Sequence, residues 1–186
     1  IPALVHDTPN PNSEMVRVVD EIDLFNGVPE RYNWTLLGKK EVYIPYNNQL
    51  LSGDDIDTLS TPHHINLQHT RFELHRVWII EANLKEGQNH IYKRRRLYLD
   101  EDSWSVVLAE QYDKRDQLWR VSLSYTKFFS TLPGVWKVAD TFHDLKSGQH
   151  FTQALKGRGN FQAEFLDELP SKRHYSPSGL RQSSKR

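Results

Sequence analysis

Between residues 71 and 120 the chain is cut three times by short polar stretches: Lys85-Glu86-Gly87-Gln88-Asn89, Asp100-Glu101-Asp102 and Asp113-Lys114-Arg115-Asp116. The runs between these breaks are rich in Val, Ile, Leu, Tyr, Phe and Trp. Such residues suit a pleated, half-buried surface, and breaks this short suit tight reversals, so consecutive antiparallel strands are predicted. Four of the five tryptophans (Trp78, Trp104, Trp119, Trp136) fall in this stretch or just beyond it, which places the core here.

The two-residue period of a strand assigns faces. In 71–84, Phe72, Leu74, Trp78, Ile80, Ala82 and Leu84 share one face, and Arg76 shares it too. The other face carries Glu73, His75 and Glu81, interrupted by Val77 and Ile79. A buried unpaired charge is prohibitively costly, so Arg76 is predicted to be ion-paired, with Asp100, Asp102, Glu110 or Asp140 as partner. In 117–125, Trp119, Val121, Leu123 and Tyr125 oppose Arg120, Ser122 and Ser124. Trp78, Trp104, Trp119 and Leu123 are accordingly predicted to be largely buried.

Elsewhere the pattern is looser. Residues 1–30 hold Pro2, Pro9, Pro11, Pro29 and three asparagines, and read as an irregular lead-in that wraps the body of the domain, with 15–22 as a strand or helical turn. The runs RYNWTLL and EVYIPYN flank Gly38-Lys39-Lys40 and read as a hairpin over 31–46. Residues 47–70 form a long polar loop, either functional or mobile, with GDDID as a solvated turn. Further strands are predicted over 135–144 and 149–155. Ser176-Pro177 starts a possible short helix, Ser176 as N-cap, in a tail of 171–186 that frays at its end. The chain thus divides into a lead-in (1–30), an antiparallel β half-barrel domain (31–170) and the tail. The fold class is mainly β, a long-stranded, curved antiparallel sheet with little helix.

Several chemistries are set aside. Lys plus Arg and Asp plus Glu are 24 each in 186 residues, which argues against a nucleic-acid surface. In the run Lys93-Arg94-Arg95-Arg96 strand geometry sends Lys93 and Arg95 one way and Arg94 and Arg96 the other, so pairing with Glu73, Glu81 or Glu110 is expected. There is no cysteine, hence no disulfide or thiol chemistry. No apolar run approaches the roughly 20 residues of a membrane helix, so an integral membrane protein is not expected. His63, His64, His69, His75, His90, His143 and His150 lack zinc-site spacing, and the Asp100-Glu101-Asp102 turn is too solvated for acid–base work. No nucleophile elbow, phosphate loop or dinucleotide fingerprint occurs. No catalytic residue, metal or cofactor is expected.

What remains is an excess of aromatics for one packed face. A concave sheet face lining an apolar pocket would use it, with Trp78, Tyr98, Trp104, Trp119, Leu123 and Trp136 as candidate lining.

The segments RYNWTLLGKKEVYIPYN, RFELHRVWIIEANLK, HIYKRRRLYLDEDSW and YDKRDQLWRV occur here in order. They resemble an uncharacterised family of Gram-negative bacteria, domain of unknown function thirteen twenty-nine, often labelled outer-membrane lipoprotein-sorting protein. Its pattern falls on His75-Arg76-Val77-Trp78, on His90, Tyr92 and Arg95, on residues 100–104, and on Tyr112-Asp113 with Leu118-Trp119-Arg120. The tail from Tyr175-Ser176-Pro177 to Leu180-Arg181 fits as well. Members are longer, so the resemblance implies a C-terminal part with Ile1 internal. It also implies an open half-barrel like that of periplasmic lipoprotein carriers, located in the periplasm or at the outer-membrane periphery. The function implied is a non-enzymatic carrier or chaperone for a lipid or other hydrophobic molecule. The alternative is a structural or interaction module of an envelope transport assembly, bound to an envelope protein and without a ligand of its own. Identity of ligand and partner is not legible.

Overall fold

The computed structural model describes residues 6–53, 56–131, 133–155, 168 and 170–183. Seven strands form one antiparallel sheet in strict sequence order: β1 (Tyr32–Pro45), β2 (Phe72–Leu84), β3 (Arg94–Asp100), β4 (Val106–Tyr112), β5 (Leu118–Phe129), β6 (Gly134–Asp144) and β7 (His150–Gln153). Among the described residues helix is confined to α1 (Ile56–Leu59), α2 (Pro177–Ser183) and short 3-10 segments. The protein is mainly β, as its composition and turn spacing predict.

The sheet curls. Ile44 of β1 packs with Val77 and Ile79 of β2 and with Val107 of β4. Side chains from strands that are not neighbours meet only on the inside of a bend, so this face is concave. Register shifts at Leu36/Gly38, Tyr98/Leu99, Gln111/Tyr112 and Tyr125/Thr126 supply the bend, because an extra residue on one strand sharpens local twist. The curl carries the end of β1 to β5, where Asn48 N donates to Thr126 O (2.9 Å) and Thr126 Oγ1 to Pro45 O (3.2 Å).

Three expectations are corrected. Residues 31–46 are not a hairpin but the single long strand β1; Gly38, at φ 113°, sits in a bulge. A glycine that tolerates positive φ serves a bulge as well as a turn, and the two are alike in sequence. The phase of β2 is inverted. Val77 and Ile79 are buried on the concave face, whereas on the convex side Trp78 and Ile80 are half-buried, Phe72, Leu74 and Arg76 are exposed, and Ala82 is buried. Trp104 is 66% exposed at φ 58°, in the turn before β4 begins at Val106. Arg76 is ion-paired as predicted, but to Glu101 (2.7 Å), none of the four expected partners, and it lies exposed on the convex side.

Residues 6–31 run irregularly over the convex face, held by a bridge between Pro9 and Val18. Val16, Val18 and Leu24 are buried there, Leu24 against Leu97 and Ala109. The tail helix has the predicted N-cap, with Gly179 N donating to Ser176 Oγ at 3.1 Å. The GDDID turn and the RQSSKR end of the tail each lie partly outside the described residues, and Arg181, Gln182 and Ser183 of that end belong to α2.

Candidate functional site

The concave face has three sectors. The first is apolar: Ile44, Val77, Ile79 and Val107, with Val42, Tyr46 and Tyr98 packed around them. The second is ionic. Glu81 accepts from Arg94 Nη1 (2.8 Å) and Arg96 Nη2 (3.0 Å), while Glu110 accepts from the Tyr98 (3.0 Å) and Tyr112 (2.6 Å) hydroxyls. The Arg94 guanidinium lies 3.5 Å from the Tyr112 ring centre. Burial works to raise the Glu81 carboxyl, but hydrogen bonds from Arg96, Asn83 and Arg94 outweigh it and hold Glu81 below its ordinary value. The basic run is therefore split between faces and paired on this one, as strand geometry predicts.

The third sector is apolar and covered. Tyr125 and Ala139, with Leu123 and Val138, lie under Leu51, Leu59 and Ile65 of the 46–71 connection. The connection supplies its own hydrogen bonds. A bridge joins Ser60 to Ile65, Asn66 N donates to Leu59 O (2.8 Å), and Arg71 N donates to Asn48 Oδ1 (2.7 Å). Backbone satisfied within the loop frees its aliphatic side chains to cover the sheet. Beside this sector the rings of His143 and His150 stack at 5.9 Å. Burial lowers both imidazoles, and neighbouring histidines lower them further: His150 and His64 act on His143, His64 and His63 on His150.

The six residues predicted as lining do not converge. Tyr98 and Leu123 are on the concave face. Trp78 is convex, with the Lys39 ammonium 4.0 Å from its ring centre. Trp104 occupies a turn. Trp119 sits at a sheet end against Tyr92 and donates to Asp144 Oδ2 (2.9 Å). Trp136, largely exposed, borders a half-open groove of about 140 Å³ with Asp23, Val106, Ser124 and Lys137. That volume is below the roughly 300 Å³ at which ligand pockets begin. The sequence reading missed Leu51, Leu59 and Ile65. Their signal was a few isolated aliphatics within a polar loop.

The convex face, by contrast, is built on buried charge. Arg95 is fully buried and donates to Asp20 Oδ1 (2.6 Å). Tyr92 N donates to His90 Nδ1 (3.0 Å), so the His90 proton sits on Nε2, 3.2 Å from Asp20. Burial would raise the Asp20 carboxyl, but His90 and Arg95 together hold it below its ordinary value. Burial pushes His90 down and Glu21 up. Arg120 donates to Tyr92 Oη (2.9 Å), Asp144 Oδ2 (3.1 Å) and Met15 O (3.1 Å). The motif residues His90, Tyr92, Arg95 and Arg120 thus fix the lead-in to the sheet.

Residues 1–181 match a family described as Protein of unknown function (DUF1329). Uncharacterized protein PA3922 of Pseudomonas aeruginosa is 38% identical over 187 residues, which is 100% of this chain and 41% of that protein. The chain therefore spans less than half the length of this curated relative. An outer membrane lipoprotein-sorting protein domain from Vibrio parahaemolyticus superposes with a TM-score of 0.51 at 13% identity, over 95% of this chain and 57% of that one. At that identity the likeness concerns the fold alone. A LolA superfamily protein from Nitrosomonas europaea gives a TM-score of 0.49 at 14% identity, over 97% and 66% of the two chains.

Proposed function

This chain belongs to the DUF1329 family, and from that premise we propose that it forms one wall of a non-enzymatic carrier for a lipid or other hydrophobic molecule in the bacterial envelope. The observation that carries the reading is the covered third sector of the concave face. Its apolar surface is closed by Leu51, Leu59 and Ile65 of a loop, not by another strand. A loop side chain on an apolar surface is replaceable by an acyl chain of similar character, since hydrophobic contact is non-directional. The likeness in fold to a lipoprotein-sorting domain supports the same use of the curved sheet. Among the described residues no helix is long and apolar enough to cross a membrane.

Magnitudes set the ligand class. Lifting three aliphatic side chains off the sheet costs about 5–9 kcal/mol at roughly 1.5–3 each. An acyl chain returns about 0.8 kcal/mol per buried methylene. Chains of fewer than about six methylenes therefore fail to displace the loop, and those of more than about eleven succeed. The test is displacement of a naphthylamine probe by fatty acids of increasing length. Saturable binding that strengthens with chain length and is lost in Leu123→Asp supports the proposal. Absence of saturable binding by the full-length protein overturns it.

A second reading rests on β1, which among the described residues pairs on one side only and exposes Leu36 (60%) and Tyr43 (68%). An exposed apolar strand edge suits attachment to an envelope protein. If that reading holds, Leu36→Lys with Tyr43→Lys leaves probe binding unchanged and removes co-purifying envelope protein.

A further inference from the structure

The H-R-V-W and D-E-D-S-W segments have no part in the apolar sectors or in the convex charge network through their polar residues His75, Asp100 and Asp102. The sheet brings these three together at the turn between β3 and β4. One ligand atom from each lies within 4.8 Å of the other two. His75 Nδ1 is 3.0 Å from Asp100 Oδ1 and 3.8 Å from Asp102 Oδ2. Two ligands held at about 2.1 Å by a tetrahedral ion stand about 3.4 Å apart, and the two separations bracket that value. We propose that His75, Asp100 and Asp102 form a binding site for a divalent transition-metal ion of the zinc class.

The surroundings are those a metal site requires. Asp100 has a side chain only 1% exposed, and its Oδ2 is already taken by Ser103 N (2.9 Å) and Ser103 Oγ (2.6 Å). That leaves Oδ1, which hydrogen-bonds to His75 Nδ1 at 3.0 Å in the absence of an ion, as the ligand atom of a fixed carboxylate. The His75 ring is held by Tyr46, whose ring centre is 4.1 Å away. Its other nitrogen, Nε2, faces Glu73 Oε2 at 3.8 Å. A carboxylate behind a ligating histidine orients the ring and raises its basicity, the usual outer-shell arrangement in zinc proteins. Glu73 is itself anchored by Arg71 Nε (2.8 Å) and Asn47 Nδ2 (2.8 Å).

Charge points the same way. Glu101 is neutralised by Arg76 and Lys39, whereas no lysine or arginine contacts Asp100 or Asp102 among the ion pairs of the described residues. The Asp102 side chain is 72% exposed, so an ion enters from solvent and keeps one position for water. One imidazole and two carboxylates suit zinc or manganese; calcium takes six to eight oxygens and is disfavoured. The expectation of no metal judged the histidines by their spacing in sequence, and this triad is non-local.

The experiment uses untagged full-length protein, stripped with chelator and titrated with zinc by calorimetry, with cobalt absorption as a second readout. One equivalent is expected, weakened at least tenfold in Asp102→Asn and abolished in His75→Ala. Glu73→Gln, outside the ligand shell, is expected to weaken binding about 10–100-fold. Asp102 is exposed, so its variant folds whatever becomes of His75→Ala, and circular dichroism confirms this. Uptake of zinc that is unchanged in Asp102→Asn and His75→Ala places the ion elsewhere, at the His143–His150 pair for example, and overturns the proposal. No saturable uptake overturns it equally. Fatty-acid binding is measured on the same stripped protein, so failure here leaves the carrier reading untouched.

Discussion

On the convex face, residues 6–31 are clamped by Asp20, Arg95, His90 and Arg120. On the concave face the 46–71 connection is held by Leu51, Leu59 and Ile65 and by hydrogen bonds within itself. Both covers are irregular chain, yet they differ in kind. A buried charge pair is directional, and removal of one member strands the other in a low-dielectric interior. An aliphatic contact has no such penalty, because any apolar group of similar size takes its place. One cover is fixed, and the other is exchangeable.

The largest effect is expected from Arg95→Met. It leaves Asp20 buried without its cation and costs about 3–5 kcal/mol, read as a drop in denaturation midpoint. The double variant with Asp20→Leu recovers most of that loss. A single variant of wild-type stability would show that the convex cover is not held by charge.

Next is Leu59→Ala, expected to cost about 2 kcal/mol, at the low end for buried leucines because a loop relaxes into the vacancy. Limited proteolysis then cuts within 56–66 and leaves the lead-in intact. Equal protection of both segments would erase the contrast between the faces.

A smaller effect comes with pH. His143 and His150 lie below the ordinary histidine value in the folded protein. Their stabilising contribution is complete above about pH 6.5 and is lost as pH falls from there towards their folded values. Protonation places like charges beside His63 and His64, so hydrogen exchange in 56–66 rises as pH falls from 7.5 to 5.5. His90 is shifted in the same direction on the opposite face. His143→Gln therefore isolates the concave contribution, and an unaltered pH profile in that variant refutes it. The smallest effect is Trp104→Ala, expected within about 0.5 kcal/mol of wild type because the ring is exposed.

Sequence made some of this legible and hid the rest for physical reasons. The breaks at 85–89, 100–102 and 113–116 mark real reversals, because tight turns are local. The split of Arg94 and Arg96 from Arg95 follows from strand geometry alone. The phase of β2 was misassigned because apolar residues occupy both of its faces. Which face closes over depends on the curl, which bulges at distant positions create. The loop aliphatics and the His75–Asp100 contact are non-local too, and no spacing rule reaches them.

The strict sequence order of the strands has a kinetic consequence. Strands β2 to β7 each pair with a chain neighbour across a short connection, so they can zip together with little loop-closure entropy. Only β1, which must reach β2 across the 46–71 connection, closes a long loop. That connection is thus the last part of the sheet to assemble and the first to open. Its opening free energy lies below that of global unfolding, so the concave face can be uncovered while the rest of the sheet stays folded.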